Sequence, residues 1–194
     1  MRRSLISRVF PKILVILLMF SFVTVGVGSV FAQEDLTPIP MISGIEMLKV
    51  GDQVPDFEVG DISGTSFNMQ ATLESGKGVL IFFWSIFCEP CKAELPVIQS
   101  LSKVYKPKGI SFVGVSIDGS PMKDAISAFV KQEDFGFLPL IDELNPDESF
   151  KVSDPYGVAG TPTVYIIDGN GVVKFAKVGR ASEEELEKVI KQML

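Results

Sequence analysis

Histidine is missing from all 194 residues, and cysteine occurs only twice. Without histidine there is no Ser-His or Cys-His pair to activate a nucleophile, and a zinc site lacks its commonest nitrogen ligand. Neither a metal nor a cofactor is therefore expected. Basic residues are also scarce once residues 1–32 are set aside: 14 Lys and Arg then face 24 Asp and Glu, a net charge of −10. No basic cluster remains, so nucleic acid is not an expected partner. Internal repeats and low-complexity runs are absent too.

What stands at the start is an address. Arg2, Arg3, Arg8 and Lys12 precede an apolar run from Ile13 to Ala32 that carries no charge. Basic residues, an apolar stretch and the small or apolar Val30 and Ala32 fit a signal peptide cut after Ala32. A run of about 20 apolar residues equally suits a retained membrane anchor, touching the bilayer through residues 13–32. Both outcomes stay open, and both place the remainder outside the cytoplasm, in the periplasm or on the outer face of the cytoplasmic membrane. Residues 33–48 (QEDLTPIPMISGIEML) read as a linker, and 49–194 as one domain.

Within that domain the apolar pattern alternates between strand and helix. Asp56–Val59 and Ser66–Met69, parted by Gly60–Gly64, predict a short β-hairpin. Val79–Trp84 (VLIFFW) predicts a central strand buried on both faces. Lys92–Tyr105 predicts a helix with Val97, Ile98, Leu101, Val104 and Tyr105 on its apolar side, and with Pro96 as a kink. Ile110–Ile117 is a second buried strand, ended by Asp118-Gly119. Ser120 and Pro121 read as N-cap and first residue of the next helix, faced by Met122, Ile126, Phe129 and Val130. Leu138–Ile141 is a short strand. Thr163–Ile167 and Val172–Val178 flank Asp168-Gly169-Asn170-Gly171, a hairpin turn that only faintly suggests a calcium loop. Ser182 and Glu185 have capping-box spacing before a helix faced by Leu186, Val189, Ile190 and Met193. The order β-α-β-α-(β)-β-β-α predicts an α/β fold with parallel strands first and an antiparallel hairpin last.

Cys88 and Cys91 fall where the central strand ends and a helix begins. A disulfide this local does little to hold a fold, because stabilisation grows with loop size. Its value is chemical: unpaired N–H groups and the positive dipole end of a starting helix favour a thiolate. Cys88, at the mouth, should be the attacking sulfur, and Cys91, one turn in, the resolving one. Pro90 suits the first helical turn. A structural disulfide or half of a metal site are the competing readings of this pair.

The stretch FFWSIFCEPCKAELP, followed by GTPTVYIID and preceded by VGDQVPDFEV, resembles the thioredoxin superfamily. Within it, the similarity is to TlpA/ResA-type exported proteins with an AhpC/TSA–Redoxin-like domain, and it spans roughly Val50 to Leu194. The resemblance implies a thioredoxin fold: a central mixed sheet flanked by helices, with an N-terminal hairpin and an inserted αβ element. It implies a thiol–disulfide oxidoreductase acting through Cys88 and Cys91, with Pro162 as the cis-proline opposite them and Thr161 offering its backbone to a substrate strand. Glu94 matches the carboxylate that tunes the cysteines, and Trp84, Glu89 and Pro90 flank the same surface. Two positions depart from the pattern. Phe82 stands where thioredoxins carry a buried Asp, shifting proton transfer onto Glu94, and Phe87 stands where Trp is usual.

Each of these residues has a plainer reading: core packing for Trp84, solvated helix positions for Glu94 and Glu89, an ordinary trans turn for Pro162. The implied partners are disulfides of exported proteins, apocytochrome c among them, and a membrane thiol donor of the CcdA/DsbD type. Rival functions are a peroxiredoxin-like peroxidase, for which Ser85 fits but Ile81 replaces the expected Pro, and a non-catalytic binding module.

Overall fold

The computed structural model describes residues 46–194. The predicted leader or anchor, 1–32, and the linker up to 45 lie outside the described residues. Among the described residues no helix is long and apolar enough to cross a membrane.

The elements run β1 (Glu58–Gly60), β2 (Ser66–Asn68), α1 (Met69–Ser75), β3 (Gly78–Trp84), α2 (Glu89–Tyr105), β4 (Ile110–Ser116), α3 (Lys123–Gln132), β5 (Leu138–Ile141), β6 (Thr163–Asp168), β7 (Val173–Val178) and α4 (Glu183–Gln192). Five strands form one sheet in the order β5-β4-β3-β6-β7. β3, β4 and β5 are parallel, while β6 pairs antiparallel with both β3 and β7. β1 and β2 form the separate hairpin, tied to β5 by a bridge between Asp61 and Leu140.

β3 is the axis of the molecule, and all seven of its residues are buried. Side chains alternate across a strand, so Leu80, Phe82 and Trp84 enter one core with α2 and α4. Val79, Ile81 and Phe83 enter the other, beneath the hairpin and α1. Gly114 of β4 makes the first core possible at the end near Trp84. A Cβ there would lie 2.5 Å from the Phe137 ring and 3.2 Å from the Trp84 indole nitrogen.

Several sequence expectations need correcting. Met69 does not extend a strand; it opens α1, because the Asn68 side chain accepts the Ala71 amide and caps a helix there. Ser120 is not an N-cap. It begins a 3-10 turn, Ser120–Met122, whose preceding Gly119 has a positive φ, and α3 starts only at Lys123. Val104 is 47% exposed, since α2 turns that position away from the sheet. Met47 and Leu48, at the end of the predicted linker, pack against the second core.

The Asp168–Gly171 turn is a hairpin: the Asp168 carboxylate accepts the Asn170 and Val172 amides at 2.9 and 3.0 Å. Ser182 and Glu185 form the complete capping box of α4.

Candidate active site

The chain leaves β3 at Trp84, makes a tight turn through Ser85–Phe87 and enters α2. Cys88 is the N-cap of that helix: its Sγ accepts the Cys91 amide at 3.1 Å. The helix end therefore satisfies one of its orphan donors with sulfur, the geometry that stabilises a thiolate once the pair is reduced. Cys88 and Cys91 are joined as a disulfide, with Cα atoms 5.2 Å apart. Cys91 is 1% exposed, and Cys88 is half-buried. Attack from outside can reach the first sulfur far more readily than the second.

Glu94 lies three residues beyond Cys91, on the same face of α2. It is fully buried; Oε1 accepts the Ala181 amide at 2.8 Å, while Oε2 has no hydrogen-bond partner among the described residues. Burial pushes its pKa up, with the Ala181 amide, Arg180 and Lys177 pulling against that and Glu185 adding to it. The folded protein thus holds the Glu94 proton more tightly than the unfolded chain does. Its contribution to stability is present below the ordinary carboxylate range and is lost as pH rises through that range towards the raised folded value. Glu94→Gln removes this loss. The variant should gain stability relative to the parent as pH rises from the ordinary carboxylate range through the raised folded value, read by urea unfolding at each pH. A constant difference would refute the coupling.

Pro162 follows a cis peptide bond from Thr161. Thr163 pairs with Phe83, so the antiparallel register brings Pro162 level with Trp84, at the end of β3 that leads to the cysteines. The Pro162 carbonyl accepts the Gly179 amide at 2.8 Å. Residues 179–181 thus link the proline loop to Glu94, and Arg180 adds a 3.3 Å bond to the Ala93 carbonyl.

Trp84 is 1% exposed, stacked on Phe129 at 5.4 Å and tilted against Phe135 at 5.1 Å, so its indole presents no open face in this conformation. Glu89 and Pro90 are exposed, and Glu89 pairs with Lys92 at 2.6 Å. Phe87 stands 72% exposed beside Cys88. Among the described residues no group of three or more metal-ligating side chains is gathered.

In the sequence, Asp118-Gly119 marks only the end of a strand. The structure places its carboxylate against the turn that carries the cysteines, with Ser85 and Ile86 as partners. Its position at the carboxyl end of a parallel strand, where α/β sheets gather their sites, was the available signal.

A mixed sheet with a Cys-x-x-Cys at the start of α2 and a cis-proline before β6 defines a thioredoxin-fold protein. The AhpC/TSA family matches residues 50–176. The chain is 34% identical over 144 residues to the thiol-disulfide oxidoreductase ResA of Oceanobacillus iheyensis, covering 73% of this chain and 71% of that one. It is 32% identical over 141 residues to the thioredoxin-like protein YneN of Bacillus subtilis, covering 72% and 78%. Among solved structures, a Chlorobium tepidum protein described as a DsbE-type thiol:disulfide interchange protein superposes with a TM-score of 0.64 at 30% identity, over 75% of this chain and 98% of that one. The chain belongs to the AhpC/TSA family as a TlpA/ResA-type thioredoxin-like protein, and it is a thiol–disulfide oxidoreductase.

Proposed function

We propose that the protein reduces disulfides of exported proteins outside the cytoplasm, with Cys88 as nucleophile, Cys91 as resolving thiol and Glu94 as proton acceptor. The observation that carries this reading is the contrast between the two sulfurs: a half-buried one capping a helix and one almost wholly enclosed, three residues before a buried carboxylate on the same helix. The Cys88 thiolate attacks one sulfur of the substrate disulfide, and the other sulfur leaves as a thiolate. Cys91 passes its proton to Glu94 and attacks Cys88, closing the internal disulfide and releasing the second substrate thiolate. Two electrons have then moved from the dithiol to the substrate.

Thr161 and Pro162 form the rim on which an extended substrate segment lies. CEPC has no histidine to stabilise the thiolate, so the couple belongs with the reductants. Its potential is expected nearer the roughly −270 mV of thioredoxin than the roughly −120 mV of strong oxidants. A reductant in an oxidising space needs a supply of electrons, and a membrane thiol carrier of the CcdA/DsbD type fits that need. The apolar run at residues 13–32 supports an extracytoplasmic location, and apocytochrome c cysteines are the proposed clients.

The test is the full-length Cys91→Ser variant in its own cell envelope. It should accumulate mixed disulfides through Cys88, and mass spectrometry of the trapped proteins names the clients. A folded variant that traps nothing would leave a non-catalytic module as the better reading. A redox titration above about −150 mV would reverse the proposed direction.

A further inference from the structure

The turn between β3 and α2 is held from behind by a single carboxylate. Asp118 Oδ1 accepts the Ser85 hydroxyl at 2.6 Å; Oδ2 accepts the Ile86 amide at 2.9 Å and the Ser116 hydroxyl at 2.8 Å. The Ser85 oxygen in turn accepts the Phe87 amide at 3.1 Å, and the Ser85 carbonyl accepts the Cys88 amide at 3.1 Å. A fixed chain of bonds therefore runs from Asp118 to the backbone of the first cysteine. Three donors converge on this group, the set an anionic carboxylate accepts. Among the described residues it forms no salt bridge, unlike Glu89, whose exposed charge is paired with Lys92.

We propose that Asp118 is a positioning residue that sets the reactivity of the dithiol: it clamps the Cys88-bearing turn, and its unpaired charge opposes formation of the Cys88 thiolate. This rests on the reading of Cys88 as nucleophile. Two influences then meet at one sulfur. The amides of α2 draw it towards the thiolate, and the half-buried Asp118 charge, held against Ile86 two residues before Cys88, draws it back. Other charges near the site include Glu89 and Lys92 on α2, which offset one another in solvent, and buried Glu94, with Arg180, Lys177 and Glu185 beyond it. In the couple, the disulfide takes two electrons and two protons to give two thiols. A charge that disfavours the thiolate removes part of the stabilisation of the reduced state and makes the protein a stronger reductant.

Asp118→Asn keeps the shape and removes the charge. Its amide oxygen can accept the Ile86 amide, and its NH2 can donate to a rotated Ser85 hydroxyl. Ser85→Ala keeps the charge and removes one clamp. In the reduced full-length protein, the rate of Cys88 alkylation is followed against pH, with the modified residue identified by mass spectrometry. Asp118→Asn should move the midpoint down by about half a unit or more and raise the redox potential. Ser85→Ala should leave the midpoint within about 0.2 units. An unmoved midpoint in Asp118→Asn overturns the proposal, and so does an equal shift in both variants, which would come from a displaced turn. If Cys91 is alkylated before Cys88, the proposal falls together with the nucleophile assignment, and the mass spectrum tells that failure apart. Should Asp118→Asn not fold, Asp118→Ser carries the same expectation, since it retains a hydroxyl acceptor without charge.

Discussion

Cys88→Ser should lower disulfide-reductase turnover by on the order of a thousandfold or more, with the fold intact. A hydroxyl at this position is far too weakly acidic to provide an anion at neutral pH, and no histidine exists to take its proton. The N-cap contact survives the change, because a serine oxygen accepts the Cys91 amide at least as well as sulfur does. Thermal unfolding of reduced parent and variant should therefore nearly coincide while insulin reduction disappears. Cys91→Ser should behave differently. It should still form the mixed disulfide in a single turnover, since the attacking sulfur and its helix remain, and then stall. Equal loss of that first step in both variants would mean that the sulfur outside is not the one that attacks.

Trp84→Ala should destabilise the domain by about 3–5 kcal/mol, a large share of the 5–15 kcal/mol typical of a domain. The indole ends the central strand at 1% exposure and is enclosed by Phe129, Phe135 and the bare backbone of Gly114. Removing it leaves a cavity that the facing rings can fill only by leaving each other, because Phe135 also lies 4.6 Å from Phe137. For a domain of this size the loss corresponds to a fall in Tm of roughly 10 °C, followed by far-UV circular dichroism. Trp84→Phe should recover more than half of it, as most of the lost volume is aromatic. A cost of under about 1 kcal/mol for Trp84→Ala would show that this end of the core is loosely filled.

Much of the architecture was legible because its signals are local. A six-residue run of strand formers, a Ser-x-x-Glu capping box and an Asp-Gly-Asn-Gly turn each specify their own conformation. The helix α1 was not legible. Met69 continues the apolar alternation of β2, and only the Asn68 side chain, turned onto the Ala71 amide, converts the chain to helix there. The start of α3 was misplaced for a similar reason: Ser120-Pro121 is a good capping pair, yet its hydroxyl makes no capping bond and the first turn tightens to 3-10.

At the site, the sequence could nominate Cys88, Cys91, Glu94 and Pro162, because each stands in a spaced motif. It could not say that Glu94 is held by the Ala181 amide, 87 residues away, or that Asp118 reaches back 32 residues to the Ile86 amide. The sequence by itself determined that a dithiol would sit at a helix start with no histidine to help it. Which charges surround that dithiol, and how far each is shielded from water, was decided only when β3, β4 and β6 were laid side by side. Hydrogen bonds and dielectric screening depend on separation in space, and separation along the chain does not encode it.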